Sequence, residues 1–253
     1  VTGPEIVIVA DADAAAGIAA DRIATILTET VSLRGRADWA TTGGSTPVAI
    51  YRHLAAETLR VAVPWSDVHV WWGDDRFVPR DHPLSNVMPL DDVLLLGGHV
   101  PLPVANLHPF PTEVAIGEGR DPAWCAAALA DELREAALDV EDGWPVLDLI
   151  LLGVGTDGHI LSVFPGSSAF DATELALAIP APTHIEPHVA RVTLNPALVT
   201  VARNVLVVAL GSAKAGVLAE VLGPDRDVRR LPAQLAARAG ATWILDEAAA
   251  ALR

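Results

Sequence analysis

The chain of 253 residues contains one cysteine and one lysine. A single cysteine excludes a disulfide within the chain and fits a reducing compartment. Cys125 sits in an alanine-rich segment and reads as a small residue on a helix. No apolar run reaches the roughly 18 residues of a membrane-spanning helix. The first residues lack the basic-then-apolar pattern of a secretory signal, so a cytoplasmic location is expected, with no membrane as partner. Positive charge is scarce: 17 Lys and Arg face 32 Asp and Glu, a formal net charge of -15. That balance argues against a general binder of nucleic acid or anionic membranes. A small anionic ligand remains open, but it needs a local cationic pocket. Lys214 is the only lysine among those 17 residues.

Several motifs are also missing. The segment "GGSTP" is neither a Walker loop nor G-x-G-x-x-G, so it implies no nucleotide, and no G-x-S-x-G is present, so the usual serine-hydrolase elbow is not implied. The histidines His53, His69, His82, His99, His108, His184 and His188 include no H-E-x-x-H motif and no cluster that recommends a metal, and no metal site is expected. No internal repeat or low-complexity linker divides the chain, which reads as one domain over residues 1–253.

Hydrophobic residues make up 51% of the chain, enough for a sizeable core rather than disorder. "EIVIVA" reads as a buried strand. "DADAAAGIAADRIATILTETVS" has the spacing of a helix, with Asp11 or Asp13 available as its cap. "ADWATTGGSTP" ends a strand in a Gly-rich turn, and a helix follows through "PVAIYRHLAAE". "DVHVWWGDDRFVP" is a strand with its exit loop, in which Trp71 and Trp72 face opposite sides and belong to the core. "LSNVMPLDDVLL" reads as a short helix entered at Ser85, and the Pro-rich "VPLPVANLHPFPTE" as a surface loop. "DPAWCAAALADELREAAL" is a helix with Pro122 in its first turn. "VLDLILL" and "NVLVVAL" are continuous apolar strands, whereas "ELALAI" and "HVARVTL" alternate like strands of a smaller antiparallel section. "GSAKAGVLAEVL", "LPAQLAAR" and "ATWILDEAAAAL" add two helices, a strand and a terminal helix. The alternation predicts an α/β fold with a mostly parallel sheet covered on both faces.

In open α/β sheets ligands bind beyond the carboxyl ends of the strands. Four unusual loops fall there. In "GGSTP", Gly43 and Gly44 allow close backbone approach, and Ser45 and Thr46 add hydroxyls at a helix start that suits a phosphate; an ordinary capped helix start has the same look. "GSAK" ends a strand in glycine, places Ser212 as a cap and puts Lys214 in the first helical turn. A lysine there opposes the helix dipole unless an anion binds beside it; a solvated surface lysine is the plain alternative. "GDDR" sets Asp74, Asp75 and Arg76 after a strand, where Arg76 meets either an anion or a neighbouring Asp. Arg191, in an apolar strand, needs a structural carboxylate or a bound anion. In "GVGTDGH", Asp157 and His159 are separated only by Gly158, which can take a positive φ. An imidazole held by a carboxylate is a natural general base near neutrality.

These four loops, in their order along the chain, resemble the 6-phosphogluconolactonase family, which is grouped with the glucosamine-6-phosphate deaminases. The matching segments are Gly43–Pro47; Asp74–Arg76 with Ser85-Asn86; Gly153–His159 with Phe164-Pro165-Gly166; Arg191–Thr193; and Gly211–Lys214. Asp75 replaces the family's usual Glu, Thr156 stands where proline is common, and Ile160-Leu161 stand where Thr-Ala is common. Val163-Phe164-Pro165 replaces the Asn-Glu-Pro of the deaminases, and Arg76 stands where they favour Tyr. The resemblance implies a single three-layer domain with a Rossmann-like sheet flanked by helices, plus a small additional β section. It implies hydrolysis of 6-phospho-D-glucono-1,5-lactone without cofactor or metal, by a monomer or small homo-oligomer whose partner is the phosphosugar lactone. His159, Asp157 and Arg76 are the implied catalytic residues. Gly43, Gly44, Ser45, Thr46, Arg191, Lys214, Gly155, Gly158 and Asp74 are the implied substrate-binding residues. The rivals are a glucosamine-6-phosphate deaminase and a non-catalytic sugar-phosphate sensor; no helix-turn-helix segment is seen, and the acidic balance disfavours DNA.

Overall fold

The computed structural model describes residues 3–252. The chain opens with β1 (Glu5–Val9), α1 (Ala12–Arg34), β2 (Ala37–Thr41), α2 (Ser45–Ala55) and α3 (Glu57–Ala62). Next come β3 (Val68–Trp72), β4 (Asp74–Arg76), β5 (Leu107–His108), α4 (Thr112–Gly117) and α5 (Pro122–Glu135). A hairpin of β6 (Val140–Glu141) and β7 (Trp144–Pro145) leads to β8 (Leu149–Leu152), β9 (Ala176–Ile179) and β10 (Arg191–Leu194). The chain finishes with α6 (Ala197–Val201), β11 (Asn204–Ala209), α7 (Ala215–Val221) and β12 (Ala241–Asp246).

Seven strands form the central sheet in the order β1-β12-β11-β8-β2-β3-β5, and every pair in it is parallel. All residues of β2 and β8 are buried, as expected for a parallel sheet covered on both faces. α1 starts where the Asp11 carboxylate accepts the Ala14 N–H at 2.9 Å, so Asp11 and not Asp13 is the cap. It buries Ala15, Ala16, Ala19, Ala20, Ile23 and Leu27 along one stripe, and its small side chains let it lie close to its neighbours. α1 packs on α2 and contacts β12 and β2. Trp71 and Trp72 are fully buried, as read from the sequence; their indole N–H groups donate to Asp38 and to the Asn86 carbonyl.

A smaller sheet, β4-β10-β9, is antiparallel. It bears out the expected extra β section, but "DDR" is one of its strands rather than an exit loop, because pairing with β10 makes a polar tripeptide extended. Other boundaries also differ from expectation. Ser85 begins no helix: its hydroxyl accepts the Val87 N–H in a turn, and a wide helix spans Leu90–Gly97, directly after Pro89. The Pro-rich stretch holds the edge strand β5 and, after Pro111, helix α4. "LPAQLAAR" forms only a five-residue 3-10 turn, Pro232–Ala236. The expected terminal helix is instead a run of turns, started where Asp246 accepts the Ala249 N–H. The β6–β7 hairpin and α6 were not expected from the sequence pattern.

Candidate active site

The chain leaves β2 toward β3 and β5, and leaves β8 in the opposite direction toward β11 and β12. The crevice beyond the carboxyl ends of β2 and β8 is therefore the switch point of the sheet, where ligands bind in this architecture. The four loops picked out in the sequence leave four adjacent strands, β11, β8, β2 and β3. They enclose a cleft of about 230 Å³, a size for a small ligand rather than a dinucleotide.

Gly43, Gly44, Ser45 and Thr46 line one side of the cleft. α2 begins at Ser45, and no side chain caps it. Its first N–H groups and its positive end therefore remain available to an anion. Across the cleft, β4 and β10 place Arg76 directly opposite Arg191. Like charges opposite each other on paired strands repel unless an anion lies between them. Neither guanidinium forms an ion pair among the described residues, so the local Asp–Arg bridge left open by the sequence is absent. Arg76 donates instead to the Leu84 carbonyl at 2.9 Å and to Asn86 Oδ1 at 2.8 Å. Arg191 donates to the Pro187 carbonyl at 3.2 Å and lies over the Phe164 ring. The Nε atoms of both arginines are buried without a partner. Burial lowers the Arg191 pKa, Asp74 partly counters this, and Arg76 adds to it.

Lys214 completes the cationic wall. Its pKa is lowered, and burial is the cause. It precedes α7 rather than lying in its first turn, because Ser212–Lys214 form a 3-10 turn, and Ser212 caps nothing. The Gly211 N–H is held instead by the Asp246 carboxylate at 3.0 Å.

The two aspartates after β3 face inward. Asp74 lines the cleft and accepts the Ser162 hydroxyl at 2.6 Å and the Asn86 amide at 3.2 Å. Asp75 is fully buried and uses one oxygen to accept the N–H groups of Arg76 and Asn86, at 2.8 and 2.7 Å. Burial pushes its pKa up to about 7 against those two hydrogen bonds. Asn86 thus ties Asp74, Asp75 and Arg76 together. Its side chain occupies the space a Cβ at position 43 would need, with Oδ1 only 1.8 Å from that point.

The loop after β8 supplies the imidazole. Gly158 has φ +84°, and its N–H donates to the Gly155 carbonyl at 3.0 Å, closing a turn that returns His159 to the cleft. Asp157 Oδ1 lies 2.6 Å from His159 Nδ1 and 3.2 Å from the His159 backbone N. A Cβ on residue 155 would lie 2.0 Å from His159 Nδ1, so only glycine fits there. With Nδ1 engaged, Nε2 is the ring nitrogen free to act in the cleft. His159 and Gly155 line that cleft, whereas Asp157 and Gly158 stand behind it and do not. Burial raises the Asp157 pKa, but the hydrogen bond and charge of His159, with a smaller part from His184, outweigh it and hold the carboxyl well below its usual range.

His184 is the residue that sequence reasoning missed. Its Nε2 lies 3.1 Å from Asp157 Oδ2, although 27 positions separate the two. No spacing rule connects a loop histidine to a carboxylate across that distance.

An open parallel sheet with a cationic cleft at its switch point, and an imidazole on the wall backed by a carboxylate, defines the class as an α/β protein with a cleft of a size and charge suited to a small anion. Residues 10–244 match the family described as glucosamine-6-phosphate isomerases/6-phosphogluconolactonase, and the chain belongs to that family. It is 35% identical to a 6-phosphogluconolactonase of Synechocystis over 90% of this chain and 89% of that one. It is 33% identical to the 6-phosphogluconolactonase of Streptomyces coelicolor over 98% and 94% of the two chains. The 6-phosphogluconolactonase structure from Trypanosoma brucei superposes with a TM-score of 0.83 at 28% identity, covering 98% of each chain. A monomeric glucosamine-6-phosphate deaminase shares the fold, with a TM-score of 0.80 at 18% identity over 98% of this chain and 100% of that one. No helix among the described residues is long and apolar enough to cross a membrane.

Proposed function

We propose that this chain hydrolyses 6-phospho-D-glucono-1,5-lactone to 6-phospho-D-gluconate, the second step of the oxidative pentose phosphate pathway. The observation that carries the reading is the convergence of three cations that form no ion pair among the described residues, Arg76, Arg191 and Lys214, on the same cleft as His159. The relatives named 6-phosphogluconolactonase support the substrate class.

In this reading Ser45, Thr46, the start of α2, Arg191 and Lys214 bind the phosphate. His159 Nε2 takes a proton from water as the water oxygen attacks C1 of the lactone. Asp157 orients the ring through Nδ1 and stabilises its protonated form. Arg76 and loop N–H groups stabilise the oxyanion. The C1–O5 bond then breaks, and the imidazolium returns its proton to O5. The carboxylic acid formed at C1 ionises and releases one proton to solvent. The lactone carbonyl is already reactive, so positioning and modest electrostatics suffice.

Phe164 disfavours the deaminase reading. It puts a ring between His159 and His184, at centroid distances of 4.8 and 5.4 Å, where the deaminase pattern has a carboxylate. The test offers the purified chain two substrates: lactone generated in situ from glucose 6-phosphate, and glucosamine 6-phosphate. The expected result is faster lactone loss and no ammonia. Ammonia release without faster lactone loss refutes the proposal, and tight phosphosugar binding without turnover of either points to a sensor.

A further inference from the structure

Asp157 has two carboxylate oxygens, and two imidazoles divide them. Oδ1 faces His159 Nδ1 at 2.6 Å, and Oδ2 faces His184 Nε2 at 3.1 Å. The histidines come from different parts of the chain, His159 from the loop after β8 and His184 from the loop between β9 and β10. Phe164 packs against both rings, tilted by 52° on His159 and edge-on at 85° on His184. The His184 loop is itself tied down: His188 Nδ1 lies 2.7 Å from the Pro182 carbonyl, and Arg191 reaches the Pro187 carbonyl at 3.2 Å. The side chain of His184 is 53% exposed, so its bond to Asp157 adds little to stability.

That bond does restrict Asp157. A carboxylate held through one oxygen can still rotate about the bond to its own chain. Held through both oxygens, and from two separate loops, it cannot turn without breaking one contact. We propose that His184 is a positioning residue for the reaction: it fixes Asp157 against His159 and moderates how strongly that carboxylate favours the protonated imidazole. The inference rests on the reading of His159 as the base.

The sign of the effect follows from charge. A neutral His184 draws off part of the Asp157 negative charge through its N–H, and a protonated His184 adds a positive charge nearby. Either way His184 makes proton uptake by His159 less favourable, so removing it raises the pH at which His159 titrates. The charged and titratable groups around His184 are Asp157 and His159 on the facing loop, Arg191 beyond the Phe164 ring, and Glu186 and His188 in its own loop. Glu186 and His188 pair with each other at 3.2 Å. All of these remain in the variants below.

The experiment compares the full chain with His184→Ala and His184→Gln. It measures kcat and KM for the lactone across pH, and the titration of the His159 ring by NMR in the ligand-free protein. In His184→Ala, kcat should fall about fivefold, the worth of one ordinary hydrogen bond, with KM within about twofold of native. The His159 midpoint and the acid limb of kcat/KM should both move up by about half a unit. In His184→Gln the amide N–H can still donate to Asp157, and kcat should return to within about twofold of native. Unchanged kcat and an unmoved His159 midpoint in His184→Ala would overturn the proposal. So would a rate loss that glutamine does not rescue while the midpoint stays fixed, since that marks the loop as packing only. If the native chain fails to hydrolyse the lactone, the functional reading falls, and the NMR titration still decides whether His184 couples to His159.

Discussion

Replacing Lys214 by methionine should move ligand affinity and the stability of the free protein in opposite directions. Lys214 faces the cleft, burial lowers its pKa, and no ion pair compensates it among the described residues. Methionine keeps an unbranched apolar stem and removes only the charge. In the proposed ligand-bound state the ammonium donates to a phosphate, and a hydrogen bond to a charged group contributes about 1.5–3 kcal/mol. Losing it corresponds to a Kd for 6-phosphogluconate raised by about 10- to 150-fold. In the free protein the same substitution removes a charge that burial disfavours. Lys214 is partly exposed, so this gain is discounted to less than about 1 kcal/mol, or about 2–4 °C at most for a chain of this size. Titration calorimetry with 6-phosphogluconate measures the first effect, and thermal melts with and without that ligand measure the second. A Kd within twofold of native would remove Lys214 from the phosphate site. A lower melting temperature for the free variant would refute the argument from the uncompensated charge.

Two further substitutions test the packing behind the cleft. Asp75 has its pKa raised by burial to about 7, so its stabilising contribution is complete below the unfolded value of about 3.9 and is lost as pH rises through about 7. In Asp75→Asn one oxygen can still accept both N–H groups, so urea unfolding should show the variant gaining on the native chain from pH about 4 upward. The gain should level off above pH about 7 at no more than about 4 kcal/mol; a gap independent of pH contradicts this. Gly155→Ala places a methyl group 2.0 Å from His159 Nδ1. It should lower kcat by about 100-fold through displacement of the imidazole while the far-ultraviolet spectrum stays native; native kcat in this variant would show that His159 does not need its observed position.

Much of the site was legible because its loops break local rules. Glycines directly after buried strands, and a lone lysine near a helix start, are local conflicts that a ligand site would resolve, and all four loops do meet at one cleft. The apolar strands were legible because a parallel sheet buried on both faces needs unbroken hydrophobic runs. What was not legible depended on distant partners. Asp74–Arg76 is extended because β10 lies beside it, and nothing within the tripeptide says so. The two-residue strand β5 is hidden between prolines and exists because β3 offers an edge. The alanines after Asp246 suggested a helix by propensity alone, but they form turns. The β6–β7 turn carried a readable Asp142-Gly143 signal, and both residues have positive φ. His184 had no signal of its own.

The central claim is that this cleft hydrolyses a phosphosugar lactone with His159 as the base. The most direct test generates the lactone in situ from glucose 6-phosphate and follows proton release, with the spontaneous rate as baseline, for the native chain and for His159→Ala. The account predicts clear acceleration by the native chain and a turnover lower by about 10²- to 10⁴-fold in the variant. Acceleration that survives the loss of the imidazole contradicts the assignment of the base. No acceleration by a folded native sample contradicts the function itself.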